Sequence, residues 1–136
     1  MLNKTLIILL IEDKGIEVIK LNKIISKGFN DYKIILAKNG NEALTILKNS
    51  LIDIALIDLN MSDPDGIEFL SIVKGNLKLK HIPIVILTSS NNDNDIKEYY
   101  KLGISGYLLK SLHFEDYEIK INKILRYWSL NEFILK

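Results

Sequence analysis

Cysteine is absent from the chain, which excludes a disulfide framework and a thiolate metal site and fits a reducing compartment. Long apolar runs are missing too. No stretch approaches the roughly 20 apolar residues that a membrane-spanning helix needs. The run Leu6–Ile11 is too short for a secretory signal, and Glu12-Asp13 follow it where small cleavage-site residues would stand. A cytoplasmic protein is expected. Charge of one sign is also lacking: the formal net charge is +1 and no basic block stands out, which argues against nucleic acid or an anionic membrane as partner. The two histidines, His81 and His113, are isolated from each other and from any acid pair at ligand spacing. They read as surface or packing residues. No segment repeats, and the abundance of Ile, Lys and Asn reads as a genome-wide bias.

What remains is an ordinary globular composition, 48% hydrophobic and 26% charged over 136 residues, enough for one domain with a real core. Short apolar runs alternate with stretches of helical spacing. Strands are expected over Thr5–Ile11, Tyr32–Ala37, Ile54–Ile57, Pro83–Leu87 and Gly106–Leu109. Ile16–Lys27 reads as a helix with Val18, Leu21 and Ile25 inward. Asn39-Gly40 turns the chain into a second helix carrying Ala43, Leu44 and Leu47. Asp65-Gly66-Ile67-Glu68 has the spacing of a capping box opening a third helix. Asn92 with Asp95 caps a fourth, which Gly103 ends. Tyr99 and Tyr100 are adjacent on it, so at most one reaches the core. Phe114, Tyr117, Ile121, Ile124 and Trp128 mark the inner face of a final helix.

Five βα repeats with continuous apolar strands imply an α/β fold: a doubly wound, five-stranded parallel sheet with helices on both faces. Right-handed crossovers and one reversal of winding favour the strand order 2-1-3-4-5, with a crevice at the carboxyl ends of strands 1 and 3. Those ends carry Glu12-Asp13 and Asp58, flanked by Thr88-Ser89 and Lys110. Clustered carboxylates repel one another unless a cation joins them, and an oxygen-rich site prefers a hard ion such as Mg²⁺. Asp58 could then act as nucleophile toward phosphorus. Lys110 would hold one phosphoryl oxygen, the Thr88 hydroxyl another, and small Ser89 would leave a path for the incoming group. Taken singly, each residue reads as an ordinary strand end; the joint pattern carries the inference.

These segments resemble a response-regulator receiver domain of the CheY-like type from end to end. Ile8-Leu9-Leu10-Ile11-Glu12-Asp13 is similar to the family's acidic-pair strand, and Asp58-Leu59-Asn60-Met61-Ser62-Asp63-Pro64-Asp65-Gly66 to its phosphoacceptor loop. Ile86-Leu87-Thr88-Ser89 and Gly106-Tyr107-Leu108-Leu109-Lys110 resemble the two remaining signatures. The resemblance implies that Asp58 accepts a phosphoryl group and that Mg²⁺ or Mn²⁺ is held by Asp13, by Glu12 through water, by Asp58 and by the backbone carbonyl of Asn60. It implies phosphoryl binding by Thr88, Lys110 and Ser89, and a switch formed by Thr88 and Tyr107, with Asn60 and Ser90 where the family tunes hydrolysis. The segment Tyr127-Trp128-Ser129-Leu130-Asn131-Glu132 resembles stand-alone regulators that partner phytochrome-type kinases.

Three positions depart from the family pattern: Ser62 and Ser111 where proline is usual, and Lys14 where many members have a third acid. A cis bond before a residue other than proline costs about 3 kcal/mol, so the Lys110–Ser111 bond is expected to be trans. The expected organisation is one receiver domain over residues 1–136, with βα repeats to residue 128, an apolar tail over 129–136 and no output domain. The implied partners are a histidine kinase or phosphotransfer protein, and a downstream protein docking on the fourth helix, fifth strand and fifth helix. The tail offers a weaker alternative, a homodimer contact. Enzymatic activity beyond Mg²⁺-dependent self-phosphorylation and dephosphorylation at Asp58 is not expected. A phosphorylation-independent binding module of the same fold is the rival reading. A haloacid-dehalogenase-type phosphatase wants a second aspartate where Asn60 stands, and a flavin phosphate would meet Glu12-Asp13.

Overall fold

The computed structural model describes residues 5–28, 31–59, 61–110 and 113–132. In chain order the elements are β1 (Leu6–Ile11), α1 (Gly15–Gly28), β2 (Tyr32–Ala37), α2 (Gly40–Asn49) and β3 (Ile54–Asp58), then α3 (Gly66–Lys74), β4 (Ile84–Thr88), α4 (Asp93–Lys101), β5 (Gly106–Leu109) and α5 (Phe114–Ser129). All strand pairings are parallel, in the order β2-β1-β3-β4-β5. The expected doubly wound sheet is present, with β1 and β3 adjacent at the reversal of winding.

Side chains alternate between the two faces of a strand, so a strand covered on both sides must be apolar throughout. The central strands obey this: every residue of β3 and β4 is buried. Leu9, Ile11, Ala55, Ile57, Ile84 and Ile86 meet α2, α3 and α4 through Ala43, Leu47, Phe69, Leu70, Val73 and Tyr99. Their strand neighbours Leu6, Ile8, Leu10, Ile54, Leu56 and Val85 meet α1 and α5 through Leu21, Ile25, Tyr117, Ile121 and Leu125. The edge strand β2 is only half-buried, with Leu36 40% exposed.

Local chemistry sets the helix starts. The Asn39 side chain accepts from the Glu42 amide, and the Glu42 carboxylate accepts from the Lys38 amide. Asp65 accepts from the Glu68 amide, and Asn92 from those of Asn94 and Asp95. Each satisfies amides that a helix leaves without intrahelical partners. Just beyond α4, Gly103 has φ 97°, where a side chain would be strained. Of the adjacent tyrosines Tyr99 is buried and Tyr100 is 49% exposed.

Two details differ from the periodicity reading. Phe114 is 41% exposed, and Leu125 takes a core place beside Tyr117 and Ile121. Phe114 is the first residue of α5 and belongs to neither core cluster. β3 and β4 each run one residue further than expected, to Asp58 and Thr88, so both of these side chains leave from regular strand backbone. Of the apolar tail, Leu130 is 77% exposed, and residues 133–136 lie outside the described residues. Among the described residues no helix is long and apolar enough to cross a membrane.

Candidate functional site

Among the described residues the buried polar side chains are Glu12, Asp58 and Thr88, each 4–5% exposed. All three stand at the carboxyl ends of neighbouring strands. Register explains their meeting: Ile11 pairs with Ile57, one residue before Glu12 and Asp58, and Asp58 pairs with Leu87, one residue before Thr88. The next strand delivers the cation. The Lys110 amide donates to the Thr88 carbonyl at 2.7 Å, carrying the chain across the end of β4. The Lys110 Nζ then reaches back to 3.1 Å from Asp58 Oδ2, 3.9 Å from Glu12 Oε1 and 3.8 Å from Glu17 Oε2. Lys110 therefore reaches Asp58 although Ser111, not proline, follows it; the geometry of the Lys110–Ser111 bond lies outside the described residues.

The electrostatics follow from crowding. Burial, and then the hydrogen bond and negative charge of Asp58, push the Glu12 carboxyl from 4.5 up to about 7, against opposing help from the Lys14 amide and the Lys110 charge. Two acids compressed until one resists ionisation make a place where added positive charge is favourable. Lys110 supplies part of it, and a hard divalent ion with oxygen ligands suits the rest. Of the expected ligands, Glu12 and Asp58 are brought together. Asp13 is exposed at the rim, and no cluster of three metal-binding side chains is present among the described residues. Asn60 lies outside them.

At the end of β4, Thr88 Oγ1 accepts from the Ser90 amide at 3.1 Å, and Ser89 is exposed beside it. The Tyr107 hydroxyl donates to the Ser90 carbonyl at 2.9 Å, so Thr88 and Tyr107 share one intervening residue. The Tyr107 ring lies 6.3 Å from that of Tyr99 at an interplanar angle of 51°. Burial, then the charges of Asp65 and Asp95, push the Tyr99 hydroxyl up to about 12. The acceptor loop is held from the other side. The amides of Gly40 and Asn41, opening α2, donate to the carbonyls of Ser62 and Asp63 at 3.0 and 2.7 Å. Asp63 has φ 50° and precedes a cis bond to Pro64, and a Cβ on Gly40 would sit 2.7 Å from the Pro64 ring. Lys14 is exposed, and only its amide touches the site, 3.4 Å from Glu12 Oε2.

One contact escaped the sequence reading. Glu17, in the first turn of α1, shares Lys110 with Asp58 and also pairs with Lys20 at 3.8 Å. An acid in a first helical turn ordinarily reads as complementing the helix dipole.

A doubly wound sheet with two buried acids, a hydroxyl and a lysine gathered at its switch point defines a CheY-like signalling domain. The chain belongs to the response-regulator receiver family of two-component signalling: residues 8–122 match the Response regulator receiver domain. Response regulator Rcp1 of Synechocystis is 30% identical over 133 residues, covering 93% of this chain and 90% of its own. A probable methanogenesis regulatory protein, FilR2 of Methanothrix harundinacea, is 34% identical over 129 residues, covering 90% of this chain and 83% of its own. The structure of Mn²⁺-bound Rcp1 superposes with a TM-score of 0.83 over 96% of this chain and 99% of that one, at 30% identity. That of the phosphorylated cyanobacterial phytochrome response regulator RcpA gives 0.86 over 98% and 100%, at 25% identity.

Proposed function

We propose that the chain accepts a phosphoryl group on Asp58 from a histidine kinase or phosphotransfer protein and signals by a changed affinity for another protein. The observation that carries this reading is the Lys110 ammonium 3.1 Å from the buried Asp58 carboxylate, inside a cluster of acids. An Asp58 oxygen attacks phosphorus, the bond from phosphorus to the donor nitrogen breaks, and the imidazole leaves with that electron pair. Hydrolysis of the acyl phosphate returns the carboxylate and inorganic phosphate; no other reaction is proposed. Burial holds Asp58 in one orientation and limits water. Lys110 offsets charge developing on the transferred oxygens, and the Thr88 hydroxyl donates to one of them. Glu12, Asp13, Asp58 and the carbonyl of Asn60 would hold Mg²⁺ or Mn²⁺, which supplies further positive charge to those oxygens when bound.

When Thr88 turns toward a phosphoryl oxygen, its hydroxyl is withdrawn from the Ser90 amide. That disturbs the peptide on which Tyr107 rests, and so biases the surface of α4, β5 and α5 between two arrangements. The likeness to phytochrome regulators makes a phytochrome-type kinase the first donor to try.

Intact mass after incubation with Mg²⁺ and a small-molecule phosphodonor tests the reading. One phosphoryl adduct is expected on the wild type and none on Asp58→Asn. If the wild type stays unmodified, and beryllofluoride leaves the Tyr107 resonances unmoved, the phosphorylation-independent binding module becomes the better reading.

A further inference from the structure

Lys110 has two carboxylates for company beyond the one it serves, and only one of them belongs to the acid pair of the site. Glu17 comes from the first turn of α1, and its Oε2 lies 3.8 Å from Nζ. The Glu17 and Lys110 side chains are each 21% exposed, so the contact is half-shielded from water rather than fully solvated.

We propose that Glu17 is a positioning residue for Lys110. It forms a second seat that fixes the ammonium beside Asp58, aligned for a phosphoryl group arriving there. A lysine has four flexible side-chain bonds and three donors, so Asp58 alone leaves it free to swing. A carboxylate on α1, a helix packed against α5, narrows that freedom. Glu17 does not touch the reacting atoms; it acts through Lys110. The inference rests on phosphoryl acceptance at Asp58.

The test is a double-mutant cycle with two readouts. The first is the rate of Asp58 adduct formation at saturating small-molecule phosphodonor and Mg²⁺. Glu17→Gln is expected to slow it about three- to fivefold, the scale of one partly exposed ion pair. In a Lys110→Gln background the substitution should lose most of its effect. The second readout needs no phosphorylation: the side-chain ¹⁵N resonance of Lys110, at fixed pH without metal, should move in Glu17→Gln. A fall in rate that persists undiminished without Lys110, or an unmoved Lys110 resonance, overturns the proposal. A wild type that forms no adduct counts against the function proposed above, while the resonance still decides the seat.

Discussion

Replacing Glu12 by Gln should make the metal-free protein more stable above neutral pH and leave it almost unchanged at pH 5. The Glu12 carboxyl is raised from 4.5 to about 7 in the folded protein, chiefly by burial and then by Asp58. A group whose folded value is raised binds more protons in the native than in the unfolded chain between those two values. Stability therefore falls as pH climbs through that window. The contribution is complete below pH 4.5 and gone above about pH 7. Its full size is on the order of 3 kcal/mol, from 1.36 kcal/mol per unit. Wild type should lose most of that between pH 5 and 8, and Glu12→Gln, neutral throughout and nearly the same shape, should not. Urea unfolding in a chelating buffer at pH 5, 6, 7 and 8 reads this directly. The single tryptophan, Trp128, packed against the α1–α5 side of the core, serves as reporter. Parallel pH profiles for wild type and variant would refute the reasoning, since the titrating group would then not be Glu12.

Two further substitutions test how the site is mounted. Phe69→Ala removes a fully buried ring from beneath the sheet and should cost about 3–5 kcal/mol in urea unfolding; a loss below 1 kcal/mol would mean the core closes around the gap. Gly40→Ala sets two effects of opposite sign against each other. Alanine is better than glycine by up to about 1 kcal/mol in a helix interior and by less at the first helical position, where Gly40 stands, but its Cβ would press on Pro64 at 2.7 Å, at a cost of about 1–3 kcal/mol. A net loss of stability is expected, and a gain would show that the loop yields easily.

The strands were legible because a sheet buried on both faces leaves no room for polar side chains, and their order followed from the handedness of the crossovers. Once that order was known, the meeting of Glu12, Asp58, Thr88 and Lys110 followed from where each strand stops. Phe114 was misread because helical periodicity repeats without marking where contact with the core begins. Glu17 was hidden for another reason. It looks like a helix-start acid, and its contact with Lys110 exists only in the folded chain. The anchor of Tyr107 is a backbone carbonyl, at Ser90, which every residue type possesses and no sequence pattern announces.

The two flanks of the site differ in how they are braced. On the β3–α3 side, backbone amides of α2 grip backbone carbonyls at 62 and 63, with bonds of 3.0 and 2.7 Å, and no rotamer change can release them. On the β4–α4 side, the bracing passes through hydroxyls: Thr88 to the Ser90 amide at 3.1 Å, and Ser90 Oγ at 3.4 Å from both Asp95 and the Asn92 amide. Hydroxyls exchange partners by turning about one bond. A force applied at the centre would thus be resisted on one flank and transmitted on the other, so the phosphorylation proposed at Asp58 would acquire a direction from the mounting rather than from the reaction.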